Sequence, residues 1–150
     1  MLQIDNPHIF FMREAYKEAV KAFDLDEVPI GAVVVCQNKI IGRAHNLTER
    51  LNDVTAHAEM QAITAATNYL GGKYLNDCTL YVTIEPCVMC AGATQWAHLS
   101  QIVFGARDDK KGFTKISRAI LHPKTILTPG IMEVECAELI KEFFKKKRET

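Results

Sequence analysis

The sequence has no long apolar stretch, no net charge and few of the residues that mark unusual folds. Its 150 residues include 5 prolines, 8 glycines and 1 tryptophan. These low counts exclude collagen-like and low-complexity chains, and an apolar fraction of 48% argues against intrinsic disorder. The longest apolar run, residues 30–36, is far too short to span a bilayer. We therefore expect one globular domain over residues 1–150 and no membrane segment.

The N-terminus lacks the pattern of a signal peptide, and the cysteine count is odd. No basic region precedes an apolar stretch with a cleavage site, so the expected location is the cytoplasm. Five cysteines argue against a closed disulfide framework and fit a reducing compartment better. Cys36, Cys78 and Cys136 are interpreted as packing residues. Cys87 and Cys90 form a separate motif.

The zero net charge hides an asymmetry along the chain. Residues 1–100 carry 7 basic and 11 acidic side chains, whereas residues 101–150 carry 11 basic and 7 acidic ones. A polyanion should therefore prefer the last third of the chain, which ends in the basic run 145–148. The alternative interpretation of that run is a solvated helix end, where cations complement the carbonyl dipole.

Hydrophobic periodicity predicts alternating strands and helices. Asn6-Pro7 is typical of a helix start, and the first helix should end near Asp24. Further helices are predicted over 57–70, 86–96 and 136–148, and strands over 30–36, 40–45, 79–84, 102–104 and 131–134. Alternation of strand and helix implies parallel pairing with helices on both faces of a sheet, so the fold class is α/β.

Two short motifs carry the residues for a chemical reaction. His57 and Glu59 stand at one predicted helix start, and Cys87 and Cys90 stand at another, directly after Pro86. Cysteines three apart share a helix face and can bind one metal ion. Two thiolates and one imidazole suit zinc with one position left open, which is the pattern of catalytic zinc. Helix N-termini favour thiolates because their free N–H groups and dipole are positive.

Glu59 is not needed as a metal ligand and is predicted to be the proton shuttle. It would take a proton from a zinc-bound water and return it to the substrate. The predicted reaction is hydrolytic attack on an amidine-like carbon, with ammonia as the leaving group. Either motif alone is a weak signal, because Cys-x-x-Cys also occurs in redox and structural zinc sites. Together, with proline before the first cysteine, they are the signature of the zinc-dependent nucleobase deaminases.

On these residues the sequence resembles the bacterial tRNA-specific adenosine deaminases of the cytidine deaminase-like superfamily. The resemblance extends from about Arg13 to Arg148, and the matching segments are 27–33, 55–59, 79–92, 103–108, 135–137 and 143–144. It implies a three-layer αβα fold with a five-stranded mixed sheet. It also implies a homodimer with one Zn²⁺ per subunit, which converts the wobble adenosine (position 34) of a tRNA anticodon to inosine.

The resemblance also implies a role for individual side chains. His57, Cys87 and Cys90 fall on the metal-ligand positions, Glu59 on the proton-shuttle position, and Asn46 on the position that hydrogen-bonds the flipped base. The other candidates for substrate contact are Ala58, Val28, Pro29, Ile30, Ile84 and Pro86 around the base, and Arg107, Asp108, Lys110 and Phe144 on the anticodon loop. Each has a structural alternative: a turn role for Asn46, core packing for the apolar residues, and solvent exposure for the cations.

Several positions depart from the family pattern and leave other functions open. Residues 47–48, 54, 94–98 and 112–116 differ from the usual residues, and Trp96 is reminiscent of the guanine deaminases, which share the zinc motif. We interpret Trp96 as a helix-packing or dimer contact. The first alternative function is therefore a deaminase of guanine or of another free base or nucleoside. The second is a zinc-dependent binding module with an idle site, against which the presence of Glu59 argues.

Overall fold

A computed structural model of the chain describes residues 6–149 and contains a five-stranded sheet with helices on both faces. The helices are α1 (Pro7–Asp24), α2 (Ala58–Leu70), α3 (Val88–Trp96) and α4 (Glu133–Arg148). The strands are β1 (Gly31–Cys36), β2 (Lys39–His45), β3 (Cys78–Ile84), β4 (Gln101–Ala106) and β5 (Ile126–Thr128). Two single-turn 3-10 helices, Phe113–Lys115 and Arg118–Ile120, lie between β4 and β5. Within residues 6–149, no helix combines the length and the apolarity that a membrane crossing requires.

The sheet is mixed, as the family resemblance implied. Its strand order is β2-β1-β3-β4-β5. β1 pairs antiparallel with both β2 and β3, whereas β3–β4 and β4–β5 are parallel pairs. Because β3 and β4 are parallel, α3 must return the chain from one end of the sheet to the other. The carboxyl end of β3 therefore leads directly into the second of the two chemical motifs.

Side chains alternate between two core layers along each central strand. Val34, Leu80 and Phe104 pack on the face covered by α2. Val33 and Tyr81 pack on the opposite face, beneath α1 and α4. Continuous apolar runs of this kind are typical of strands that are buried on both faces. The two helical layers around one sheet confirm the predicted three-layer arrangement.

Gly31 allows α1 to lie directly against the first strand. A Cβ atom at this position would collide with the backbone of Ala15 and Ala19 in α1. Such close approach of two backbones is a common reason for glycine inside a strand. The contact fixes the entry to β1, and with it the segment 27–30 that precedes the strand.

Two helices begin slightly later than the sequence predicted, and the difference matters for the site. His57 is the N-cap of α2, with φ −71° and ψ 154°, and Cys87 is the N-cap of α3, with φ −75° and ψ 173°. Both residues therefore have extended backbones outside the helices. The predicted start of α1 is confirmed, because the Asn6 side chain accepts a hydrogen bond from the Ile9 N–H.

The prediction of a last strand at 131–134 was wrong. The fifth strand is Ile126–Thr128, which pairs parallel with Gln101–Val103 of β4. Met132 has a left-handed backbone with φ 59° and forms the N-cap of α4, which begins at Glu133. The alternating apolar residues of 131–134 resembled a strand, but Ile131 and Met132 pack against the α1 layer of the core instead.

Candidate active site

Three side chains from two helix N-termini form a cluster of metal-ligating atoms. The donor atoms of His57, Cys87 and Cys90 all lie within 4.8 Å of one another. His57 Nδ1 lies 3.6 Å from Cys87 Sγ and 3.5 Å from Cys90 Sγ. Among the residues that the structure describes, no other group of three His, Cys, Asp or Glu side chains meets the same criterion. The predicted ligand set is thus brought together by the fold.

The mutual contact of the two cluster thiols shifts their pKa values in opposite directions. The contacts with Cys90 and His57 lower the pKa of the Cys87 thiol to about 4, so Cys87 is a thiolate at neutral pH. The contact with Cys87, followed by burial and the charge of Glu59, raises the pKa of Cys90. A bound divalent cation would offset the repulsion between the Cys90 thiolate and the negative charges of Cys87 and Glu59. It would thereby favour the deprotonated form of the Cys90 thiol. One imidazole and two thiolates fit zinc, with one coordination position left for another ligand.

Glu59 contributes a buried carboxylate with an unused oxygen. The residue lies in the first turn of α2 and is only 3% exposed. Burial raises the pKa of its carboxyl to about 7. Its Oε1 atom is buried and has no hydrogen-bond partner in the described part of the protein. A buried polar atom without a partner costs free energy, so this oxygen is positioned for a group that the chain itself does not supply.

A cavity of about 210 Å³ opens beside the cluster. The cavity is lined by Val28, Ile30, Asn46, Thr48, His57 and Ala58. All of these except Thr48 were predicted as site residues. Asn46 Nδ2 donates to the Val28 carbonyl, and Asn46 Oδ1 accepts from the Thr48 N–H, both at 3.3 Å. Asn46 therefore combines the two roles considered for it, since it shapes a turn and lines the cavity.

Three of the predicted pocket residues lie elsewhere. Pro29 is buried, and Ile84 packs in the core between the sheet and the layer of α1 and α4. Pro86 is buried between β3 and α3, where its carbonyl accepts from the Phe113 N–H at 3.0 Å. These residues are not part of the cavity lining. Their positions agree with the core-packing alternative.

Glu27 positions the loop after Asn46 and was not singled out from the sequence. Its side chain is fully buried, and its two oxygens accept hydrogen bonds from the N–H groups of Glu49 and Arg50, at 3.0 and 2.8 Å. Carboxylates rarely become fully buried unless they are paired. The signal in the sequence is an acidic residue immediately before the apolar segment 28–36, where a solvated side chain is not expected.

Glu85 likewise positions a loop, the one between β4 and the 3-10 helices. Its carboxylate accepts hydrogen bonds from the Asp108 N–H at 3.2 Å, the Thr114 N–H at 3.1 Å and the Thr114 hydroxyl at 2.6 Å. The adjacent Cys87 forms an isolated antiparallel bridge with Gly112. The loop 107–114 is therefore held against the residues that lead into the metal cluster.

The three predicted contact residues of that loop have different surroundings. Asp108 Oδ1 accepts hydrogen bonds from the N–H groups of Lys110 and Lys111, each at 3.0 Å, so Asp108 shapes its own loop. Arg107 is exposed, and its guanidinium carbon lies 5.9 Å from the centre of the Phe104 ring. Lys110 is also exposed. Two cations are thus available beside the site.

A groove of about 570 Å³ adjoins the cavity and shares Val28 with it. Its lining comes from the end of α1, the loop after Asn46 and α4, and consists of Leu25, Asp26, Val28, Glu49, Arg50, Phe143, Phe144 and Lys147. Phe143 is 6% exposed and Phe144 is 43% exposed, so Phe144 is the ring that a ligand in the groove can reach. We refer to this feature as the α4 groove.

The basic end of α4 is held against α1 rather than being freely solvated. Lys147 forms an ion pair with Asp26, and Lys146 Nζ lies 5.0 Å from the centre of the Phe23 ring. The side chains of residues 145–148 remain exposed. The run therefore forms a cationic rim next to the α4 groove.

Comparisons with known proteins identify relatives that are named deaminases. The MafB19-like deaminase family matches residues 6–148. A tRNA-specific adenosine deaminase of Aquifex aeolicus is 43% identical over 143 residues, with 93% of this chain and 95% of that protein covered. A solved structure from a study of A-to-I editing by tRNA:A34 deaminases at the wobble position is 42% identical. Its TM-score is 0.81, with 87% of this chain and 98% of that chain covered.

The guanine deaminase of Bacillus subtilis is also similar, over a smaller part of both chains. It is 38% identical with a TM-score of 0.64, and the match covers 67% of this chain and 64% of that one. The wobble-position deaminase structure covers more of both chains and has the higher TM-score. The same fold is thus shared by a protein named guanine deaminase and by a protein described as a tRNA:A34 deaminase.

Proposed function

This chain belongs to the family of tRNA-specific adenosine deaminases, and we propose that it hydrolyses the wobble adenosine of a tRNA anticodon to inosine and ammonia. The observation that carries the proposal is the buried, unpaired Oε1 of Glu59 beside a cluster of three metal-ligating side chains. We propose that the whole chain, residues 1–150, works as a single deaminase domain. Its substrate and its five cysteines, all free, fit the cytoplasm as the place of action.

His57, Cys87 and Cys90 would hold one Zn²⁺ ion per subunit. Zinc supplies Lewis acidity, which makes water a nucleophile at neutral pH. Glu59 accepts a proton from the attacking water and donates it to the substrate as the amino group leaves. The burial of Glu59 keeps its pKa near the operating pH, which suits a group that must both accept and donate. Water adds to the base and ammonia departs, so no other reactant is required.

The cavity beside the cluster is the proposed site of the flipped adenine. Val28, Ile30 and Ala58 provide apolar walls, and an unstacked base is stabilised by such surfaces. Asn46 offers an amide that can both donate and accept at a purine edge. Two hydrogen bonds already hold this amide in place, so it is oriented before the base arrives. The anticodon loop is single-stranded, so only one base must leave a short stack.

The α4 groove is the proposed site for nucleotides next to the target. It adjoins the cavity at Val28 and presents the exposed Phe144 ring, on which a base can stack. Arg50 and the rim 145–148 add positive charge there, with Lys147 paired to Asp26, and Arg107 and Lys110 add positive charge on the loop that Glu85 holds. A polyanion is attracted to cations arranged in this way. The excess of basic residues in the last third of the sequence thus contributes cations to the proposed RNA-binding surface.

Replacement of residues 145–148 by serine is expected to weaken binding of an anticodon stem-loop and to flatten its salt dependence. For a single strand, each lost phosphate contact reduces the slope of log K against log salt concentration by about 0.7. Fluorescence anisotropy at several salt concentrations measures the slope. Serine at Lys39 and Lys73 is the control for loss of positive charge elsewhere, because Lys39 lies at the opposite end of the sheet and Lys73 precedes β3 there. An unchanged slope in the rim variant would show that the rim does not contact phosphate.

We also propose that the protein is a homodimer that buries the outer face of α3. Trp96 at the end of this helix is 78% exposed, so it is not a packing residue within the chain. Val88 on the same helix and Ile116 in the neighbouring loop are also exposed. These exposed apolar side chains are the ones that we propose the partner subunit covers. The dimer-contact interpretation of Trp96 is therefore the one retained.

Trp96→Glu is expected to convert a dimer to a monomer, because a carboxylate in an apolar interface is desolvated without a partner. Sedimentation velocity measures the oligomeric state. Val134→Glu is the control, since Val134 is an exposed apolar residue of α4 at a distance from α3 in the sequence. A Trp96→Glu protein that sediments like the unmodified dimer would contradict this interface.

The test of the proposed substrate is an anticodon stem-loop with adenosine at position 34. We expect inosine to appear at that position and at no other adenosine of the loop. A stem-loop with guanosine at position 34 and adenosine elsewhere is the control and should stay unmodified. Deamination at the other adenosines with equal rate would contradict wobble-position specificity.

A further inference from the structure

Cys36 and Cys78 lie directly opposite each other on neighbouring strands, at the end of the sheet remote from the metal cluster. Cys36 is the last residue of β1, and Cys78 is the first residue of β3. The antiparallel register pairs these two residues. Directly opposite residues of an antiparallel pair share one face of the sheet. In agreement, Cys36 packs against the core cluster beneath α2 that contains Cys78.

The backbone hydrogen bonds of Cys78 point away from β1. Its carbonyl accepts from the Ser100 N–H at 3.1 Å, and its N–H donates to the Leu75 carbonyl at 3.2 Å. Along a strand, the N–H and carbonyl groups of one residue point to the same side. Cys78 therefore makes no backbone hydrogen bond with Cys36, although the two residues are register partners.

The backbone N–H and carbonyl groups of Cys36 point toward β2 because Cys36 flanks the tight turn between β1 and β2. It pairs with Lys39 across a turn of two residues, Gln37 and Asn38. Their φ angles of 51° and 63° define a type I′ turn, which is the tight connection favoured in hairpins. The residues that flank such a turn exchange hydrogen bonds with each other. Both strands thus indicate that Cys36 and Cys78 form a non-hydrogen-bonded pair.

This class of pair brings the two sulfur atoms within reach of each other. Cα atoms of a non-hydrogen-bonded antiparallel pair are about 4.5 Å apart. Disulfides span Cα separations of roughly 4.4–6.8 Å. Burial, together with the contact with Cys36, raises the pKa of Cys78 to about 12. The pair is therefore close enough to be bridged without movement of the strands.

The two thiols differ in solvent accessibility, which determines which of them is oxidised first. Cys36 is half-buried and can meet a small oxidant, whereas Cys78 is fully buried. A peroxide converts the Cys36 thiol to a sulfenic acid and releases one molecule of water. The Cys78 sulfur then attacks the Cys36 sulfur, and the displaced hydroxyl leaves as a second water with the Cys78 proton. Two thiols are oxidised by two electrons, and one peroxide is reduced.

We propose that Cys36 and Cys78 form a redox-sensitive dithiol, which a peroxide converts to an intramolecular disulfide that joins β1 to β3. The bond closes the β1–β2 hairpin onto the central strand at the end of the sheet opposite the deaminase site. Cys136, the other cysteine outside the metal cluster, is buried in the opposite core layer, beneath α1. Because the proposed bond lies at the end of the sheet opposite the deaminase site, it leaves the metal ligands and the catalytic residues in place.

The test is oxidation of the full-length, zinc-loaded protein by hydrogen peroxide. Remaining thiols are blocked with N-ethylmaleimide, and peptides are mapped by mass spectrometry before and after reduction with dithiothreitol. We expect a linked pair of peptides that contain Cys36 and Cys78 and separate on reduction. Zinc content and deaminase activity, measured on the same sample, should be unchanged.

Two variants make the assignment specific. Cys36→Ser should abolish the linked peptides, and Cys136→Ser, a matched change at another free cysteine, should leave them. Both variants should retain full deaminase activity, because neither residue belongs to the site. The proposal would be overturned if Cys36 and Cys78 both carried N-ethylmaleimide after oxidation of zinc-loaded protein. A link from Cys36 to any other cysteine would overturn it equally.

Discussion

Replacement of Glu59 by glutamine is expected to reduce turnover by orders of magnitude while the fold and the zinc content stay unchanged. The amide keeps the size of the side chain, but it cannot accept a proton from water and return it to the base. A positioned acid–base group contributes roughly 10²–10⁴-fold to the rate, and we expect kcat/KM on an adenosine-34 stem-loop to fall by about that factor. Inosine formation measured by nucleoside chromatography gives the ratio, and circular dichroism checks the fold.

Glu133→Gln is the matched control for this substitution. Glu133 is an exposed carboxylate in the first turn of α4 and lines neither the cavity nor the α4 groove. Its kcat/KM should equal that of the unmodified protein. Glu59→Ala should resemble Glu59→Gln, because both remove the carboxylate. A kcat/KM of pure Glu59→Gln protein equal to that of the unmodified protein would show that another group carries the proton.

Replacement of Cys87 by alanine is expected to remove both zinc and activity. Cys87 provides the most acidic thiol of the cluster, and loss of one ligand leaves only His57 and Cys90 at the site. Two ligands hold zinc far more weakly than three, because each coordinate bond contributes to the affinity. Zinc per subunit, measured by plasma emission spectroscopy after dialysis against a weak chelator, should fall from about one to near zero.

Cys36→Ser provides the control for the general effect of a lost cysteine. Cys36 lies at the far end of β1, so this variant should bind one zinc ion and deaminate RNA normally. Addition of zinc should restore activity to chelator-treated unmodified protein, but not to Cys87→Ala. A Cys87→Ala protein that keeps stoichiometric zinc after dialysis would place the metal at other residues.

The elements that carry the motifs could be predicted from the sequence because their signals are local. Asn6-Pro7 marks a helix start, and Gly71 ends α2 with a left-handed backbone at φ 70°. The spacing of Cys87 and Cys90 depends only on helix geometry. The prediction of 131–134 as a strand was wrong because alternation alone cannot distinguish a strand from an irregular apolar segment. Pairing with β4 decides that question, and it is a long-range contact.

The loops around the site were less predictable because they depend on buried charges from distant positions. Glu27 reaches residues 49–50, and Glu85 reaches residues 108 and 114. Neither contact leaves a periodic pattern in the sequence. The α4 groove was also not predicted, although Phe144 was, because three separate segments form its lining. Ile84 was predicted to line the cavity because it is close in sequence to the motif with Cys87. In the structure it packs in the core instead.

The central claim is that the site acts on an adenosine within RNA rather than on a free base. The most direct measurement compares deamination of an adenosine-34 stem-loop with that of free guanine, cytosine, adenosine and cytidine by the same zinc-loaded protein. Inosine and ammonia are the two readouts. We predict inosine in the stem-loop and no ammonia from the small molecules. Ammonia from guanine, with the stem-loop untouched, would contradict the account and identify a free-base deaminase.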